Sequence, residues 1–251
     1  RRSRLSAATG QGIGGDSTFH SYVFPASALC VDSEYLHFQA NRIRRNNPPS
    51  GINGKMKAGT SRVKMLRPDL APRITHLRDV NRLNLGLSHA EFAQILSQLP
   101  HRVKRAQVQA AIKQIANPDR ERLERLFQTH DAPADGYAVR DVVMFGLSEM
   151  ARAQKCLDLL KEGNATALGQ LMTISHDGDR VSRESHSGVR KKVNQAGIDS
   201  SFQEWASVKG AKTDIARIPG SYACSLPELD RIVDLAMRQP GVKGAQLAGA
   251  G

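Results

Sequence analysis

Apolar positions along the chain change their spacing several times, and each change predicts a different kind of element. Ser21 to Asp32 is dense in Val, Phe, Ala and Leu, and Tyr35 to Ala40 alternates weakly, which predicts two strands joined near Asp32-Ser33-Glu34. Asn46-Asn47-Pro48-Pro49-Ser50-Gly51 is a loop by its turn chemistry. From about Leu70 the pattern turns helical. Ser88-His89-Ala90-Glu91 has the form of a capping box, in which the serine hydroxyl and the glutamate each satisfy a backbone amide at the helix start. Phe92, Ile95, Leu96 and Leu99 follow at spacings of three and four, and Pro100 closes the segment.

Val143, Leu147, Met150, Leu157 and Leu160 mark one side of a long helix from about Gly136, which Gly163-Asn164 terminates. Asn164 can cap a shorter helix with Leu168, Leu171, Met172 and Ser175 on one side. Residues 177 to 220 are polar and Gly-rich, and read as a long irregular insertion. Ser225-Leu226-Pro227-Glu228 predicts a second capping box, with proline in the first turn where its missing N–H costs nothing. Leu229, Ile232, Val233, Ala236 and Met237 then form an apolar stripe. The small residues between Gly241 and Gly251 let the backbone run close to another surface or a ligand.

With 251 residues, 40% of them hydrophobic, the chain can bury a sizeable core in one large domain or two small ones. No stretch approaches the roughly 18 to 20 consecutive apolar residues of a membrane span. Arg1-Arg2-Ser3-Arg4 leads into no long apolar region of the secretory kind, so the expectation is a cytoplasmic protein with no membrane partner. Cys30, Cys156 and Cys224 are far apart and form no Cys-x-x-Cys pair, which suits reduced, structural thiols. No His, Cys or Asp cluster has metal-ligand spacing.

Charge changes the picture more. The net charge is +12, and between Asn41 and Pro68 the chain carries Arg42, Arg44, Arg45, Lys55, Lys57, Arg62, Lys64 and Arg67 with no acid. That segment suits a solvated basic face, a site for a phosphorylated ligand, or a nucleic-acid surface. It lacks the interleaved aromatics that stack bases, and no zinc-finger or basic-zipper pattern accompanies it, which argues against nucleic acid.

Three stretches carry a family resemblance. Leu168-Gly169-Gln170-Leu171-Met172 with Ser175-His176, then Tyr222-Ala223-Cys224-Ser225-Leu226-Pro227-Glu228-Leu229-Asp230, then Gly241-Val242-Lys243-Gly244-Ala245-Gln246-Leu247-Ala248-Gly249-Ala250-Gly251, stand in the chain in that order. They resemble the Leu-Gly-x-Leu-Met-x-x-Ser-His helix, the Pro-Glu-Leu-Asp helix start and the third glycine-rich motif of galactokinase-type members of the GHMP kinase superfamily. Upstream, Arg67-Pro68-Asp69-Leu70 with His76-Leu77-Arg78-Asp79-Val80-Asn81 resembles a bacterial branch of galactokinase-like proteins. The family's sugar-holding first motif and its Gly-Leu-Ser-Ser-Ser-Ala phosphate loop have no counterpart here, and the third motif stops at Gly251. The expectation is a C-terminal fragment of such an enzyme, inactive alone.

The resemblance implies an α+β, two-lobed GHMP kinase fold, with residues 1–66 the end of the N-terminal lobe and 67–251 most of the C-terminal one. It implies ATP and a monosaccharide as ligands, Mg²⁺ arriving with ATP, and transfer of the γ-phosphoryl to a sugar hydroxyl, the anomeric 1-OH. In such kinases the protein supplies mainly positioning, charge stabilisation and an acid to accept the hydroxyl proton. Asp16 is the only carboxylate in Gly10-Gln11-Gly12-Ile13-Gly14-Gly15-Asp16-Ser17-Thr18-Phe19-His20, and it is the candidate catalytic base or else a turn former. It follows Gly15 directly, and Phe19 stands before His20 where the family places an Asp. Gly12, Gly14, Gly15, Gly249, Ala250 and Gly251 are the candidate loops beside sugar or nucleotide. His176 is expected to make a structural hydrogen bond at a helix end, and Asp230 to be stabilised by the helix dipole. A non-catalytic sugar- or metabolite-binding relative and a basic nucleic-acid-binding module are the alternatives.

Overall fold

The computed structural model describes residues 20–23, 60–112 apart from 61 and 65, 127–128, 131–132, 134–185, 187–207 and 214–248. These residues form a mixed helix and sheet structure. Strand β1 (His20–Val23) comes first, and the 3-10 turns Ala71–Arg73 and Leu77–Asp79 lead into α1 (Arg82–Leu85) and α2 (His89–Ser97). Strands β2 (Arg102–Val103) and β3 (Tyr137–Ala138) bracket α3 (Arg105–Ile112). Then come the long α4 (Arg140–Lys161), α5 (Ala165–Asp179), strands β4 (Ser182–Glu184) and β5 (Arg190–Lys192), and α6 (Gln195–Ala206). A 3-10 turn at Ile215–Arg217, α7 (Pro227–Met237) and β6 (Ala245–Ala248) complete the order. The strands pair antiparallel as β1–β6, β2–β3 and β4–β5.

Local chemistry explains the helix starts. The capping box at α2 forms as expected: Ser88 N donates to Glu91 Oε2 at 2.9 Å and Glu91 N donates to Ser88 Oγ at 3.3 Å. Asn164 accepts the Ala167 amide at 3.1 Å and opens α5, again as expected. The start of α7 differs. Pro227, with φ fixed by its ring, is the first helical residue, so Leu226 occupies the capping position and offers no side-chain acceptor. Ser225 lies one residue too early to cap, and its hydroxyl turns to Leu226 O at 3.4 Å.

The main core gathers Phe92, Ile95, Leu96 and Leu99 from the α2 region with Val143, Met144 and Leu147 of α4 and Val63, Ile74 and Val80 from the preceding turns. It also takes Phe202 and Trp205 of α6, both of which are buried. Residues 177–220 are therefore no irregular insertion. Trp205 meets Phe92 edge-on with ring centroids 6.2 Å apart, and His89 Nε2 donates to Trp205 O at 2.9 Å. The long helix also departs from its expected stripe. It begins at Arg140, because Tyr137 and Ala138 pair with Val103 and Arg102; Arg152 is still buried and donates to Ala216 O and Ile218 O at 2.9 Å, whereas Leu157 further along is 58% exposed.

A second, smaller core of Val233, Ala236 and Ala245, with Met237 packed on it, lies where α7 meets β6. There Leu229 is buried as well, whereas Ile232 of the expected stripe faces outward. Asp234 of α7 holds the β4–β5 hairpin by accepting from Arg180 Nη1 at 2.7 Å and Arg190 Nη2 at 2.6 Å. Among the described residues no helix is long and apolar enough to cross a membrane.

Candidate functional site

Asp16, Gly12, Gly14 and Gly15, and likewise Gly249, Ala250 and Gly251, lie outside the described residues. The strands that adjoin them do not. β1 follows the first group and β6 precedes the second, and the two strands pair with His20 opposite Ala248 and Val23 opposite Ala245. This register sets the first residue of β1 against the last residue of β6. The chain thus arrives at His20 and departs from Ala248 at one and the same end of the ribbon. Asp16 is four residues from His20, a span that covalent geometry limits to about 14 Å, and Gly249 is bonded directly to Ala248.

The three resembling stretches also meet. Gly169 in α5 and Gly244 before β6 touch backbone to backbone: a Cβ on Gly244 would overlap the Gly169 carbonyl, and one on Gly169 would overlap the Lys243 carbonyl. Nearly two turns of α5 carry the chain on to His176, which is fully buried. Its Nδ1 accepts the Leu247 amide of β6 at 3.3 Å, and its Nε2 stands 3.3 Å from Asp230 Oδ1 in α7. The other carboxylate oxygen of Asp230 accepts Val181 N at 3.1 Å, Ser182 N at 2.7 Å and Ser182 Oγ at 3.0 Å. Burial works to raise the Asp230 carboxyl, but hydrogen bonds from His176, Ser225 and Ser182 outweigh it and hold it down at about 2. His176 is a hydrogen-bonded structural histidine, as expected. Asp230 is tied to the adjacent residues Val181 and Ser182 as well as sitting in a helix's first turn.

A second polar group sits where α5 ends against the loop 219–226. Tyr222 stacks on Phe145 with centroids 4.9 Å apart, and Cys224 donates its thiol to Asp179 Oδ1 at 3.2 Å. Between them Ala223 adopts φ +52°, a left-handed conformation costing on the order of 1 kcal/mol for a residue with a Cβ. Burial pushes the Asp179 carboxyl up to about 7; repulsion from Glu149 and Asp230 adds to this, while the Cys224 thiol and Arg152 oppose it. Burial likewise raises the Tyr222 hydroxyl and the Cys224 thiol.

The sign of the Asp179 effect follows from proton counting. A carboxyl raised from its ordinary value to about 7 keeps a proton in the folded chain that the unfolded chain has released. Its contribution is full below about pH 4 and is lost as the pH rises toward 7. Asp179→Asn keeps an oxygen for the Cys224 thiol and removes the charge. The variant is expected to match the parent at pH 4 and to gain on the order of 2 kcal/mol by pH 8, the full shift being discounted for partial exposure. Urea unfolding at both pH values measures this, and a difference independent of pH would refute it.

Tertiary structure also brings together His101, Asp141 and Asp199, whose spacing gave no signal in the sequence. The Arg140 guanidinium fills the place a cation would take: its Nη2 lies 2.8 Å from both His101 Nδ1 and Asp199 Oδ1, over the Phe202 ring. Gln195 Nε2 donates to Asp141 Oδ2 at 2.9 Å and occupies the remaining acid. The trio is built around an arginine and does not fit Mg²⁺.

No protein-family model, curated protein or solved structure matches the chain.

Proposed function

We propose that this chain works in an ATP-dependent monosaccharide kinase, galactokinase-like and of the two-lobed GHMP fold, that phosphorylates a sugar hydroxyl, the anomeric 1-OH. In this reading residues 1–66 end the N-terminal lobe and 67–251 build most of the C-terminal one, with the ligands between. Asp16 accepts the hydroxyl proton, and Gly12, Gly14, Gly15, Gly249, Ala250 and Gly251 give backbone room beside sugar and phosphates. In this reading Mg²⁺ comes with the nucleotide.

One observation carries the reading: the β1–β6 register, in which His20 faces Ala248. It pairs the strands that adjoin the two loops singled out for catalysis, although more than two hundred residues separate them in the chain. The Gly169–Gly244 contact and the Leu247–His176 bond support it, because they link the resembling stretches to that same ribbon.

The test is sugar-dependent ADP release by the full-length gene product, with ATP, Mg²⁺ and a panel of hexoses, followed by phosphorus NMR of the product. Turnover with at least one hexose is expected, giving a sugar 1-phosphate. Sugar binding without turnover would favour the non-catalytic relative, and neither binding nor turnover in a folded protein would overturn the proposal.

A further inference from the structure

The two faces of the β4–β5 hairpin handle charge differently. On the face toward α7, Ser182 reaches Asp230 and Arg190 reaches Asp234. Side chains alternate along a strand, so Arg183 and its cross-strand partner Lys191 project from the opposite face, and both are exposed. Like charges set directly opposite each other weaken an antiparallel pair. Arg183 is eased by Asp177, whose Oδ1 lies 2.6 Å from its Nη2. Lys191 has no such relief.

The ion pairs around the hairpin show why. Asp177 lies between Arg183 and Arg180, Asp234 between Arg180 and Arg190, and Glu184 between Arg190 and Arg238, at 2.6 to 3.9 Å. This alternating series fastens the hairpin to α5 and α7, but four arginines share three carboxylates. Lys191 and Lys192 follow in β5, both exposed, and among the described residues neither has an ion pair or a side-chain hydrogen bond. Four arginines and two lysines against three carboxylates leave three positive charges unbalanced, on a ribbon held in place by the rest.

We propose that the outer face of the β4–β5 hairpin, with Arg183, Lys191 and Lys192, is a docking surface for the phosphate backbone of duplex DNA. The major groove of B-form DNA admits a two-stranded ribbon, and Lys and Arg neutralise phosphates whatever the base sequence. No described residue of the hairpin is aromatic, so base stacking adds nothing. An acidic protein fits less well. Protein partners dock through buried apolar and aromatic anchors, and among the described hairpin residues Val189 is the one large apolar side chain that stands exposed. Neither the kinase reading nor the basic segment 41–68 enters into this assignment.

Fluorescence anisotropy of labelled duplex DNA with the full chain, between about 50 and 200 mM salt, counts neutralised phosphates from the slope of log affinity against log salt. Lys191→Ala combined with Lys192→Ala is expected to lower that slope by about 2 and to weaken binding on the order of tenfold at the low-salt end. Arg82→Ala combined with Lys161→Ala removes the same charge from exposed positions in α1 and at the end of α4, and should keep the parental slope. Lys191→Glu sets an acid opposite Arg183. It should melt no lower than the parent while losing duplex binding as the double lysine variant does. An unchanged slope in either lysine variant, an equal fall in the control pair, or no duplex binding by the folded parent overturns the proposal. So does polyglutamate that competes as well as unlabelled duplex, which would assign the face to an acidic protein instead.

Discussion

Gly169→Ala is expected to destabilise the protein by about 3 kcal/mol, against the direction that helix propensity predicts. Alanine in a helix interior is ordinarily better than glycine by up to about 1 kcal/mol. At Gly169 the new methyl would meet the Lys243 carbonyl and Cβ, and the obstacle is backbone that cannot rotate aside. Relief needs α5 and β6 to separate, which strains the Leu247–His176 bond at the same interface. Gly197 in α6 is the matched control, because a Cβ there meets nothing within 4 Å. Urea unfolding of both variants decides the matter: Gly197→Ala should be neutral or stabilising, and a stabilised Gly169→Ala would mean the two backbones are not in contact.

The other large effect belongs to Asp16. Under the proposed kinase reading, Asp16→Asn retains size and most hydrogen bonds but cannot take a proton. If Asp16 is the base, kcat should fall by on the order of 10² to 10⁴ with little change in the KM for ATP. A turn-forming aspartate behaves otherwise, since asparagine serves equally well in turns. Melting temperature must be measured beside rate. A folded Asp16→Asn enzyme with near-parental kcat would remove Asp16 from the chemistry.

Features set by neighbouring residues were legible in the sequence. The Ser88–Glu91 box and the Asn164 cap each need only three or four consecutive residues, and both formed. The Ser225 cap failed for an equally local reason, the ring of Pro227 displacing the helix start by one residue. What could not be read depended on distant partners. Phe202 and Trp205 are two apolar residues in a polar stretch, and only α2, about a hundred residues earlier, gives them a core to join. Leu157 carries a helical spacing that promised burial, but the 214–218 segment packs on Arg152 and Lys155 of α4 and leaves Leu157 facing outward. The same holds at the candidate site: Asp179 and Cys224 are 45 residues apart, and His176 and Leu247 are 71 apart. The motifs named the segments that matter, while the pairings between them came from the fold.

The docking of α6 on α2 supplies the protein with its own optical reporter. Trp205 is the chain's single tryptophan, and its indole meets His89 and Phe92, with 116 residues between His89 and Trp205, as well as Phe202 of its own helix. Contacts so distant in sequence close late, because the loop must be ordered before they reward it. Emission from this one indole during refolding thus follows a long-range closure of the main core, on top of whatever change the nearby Phe202 brings when α6 forms.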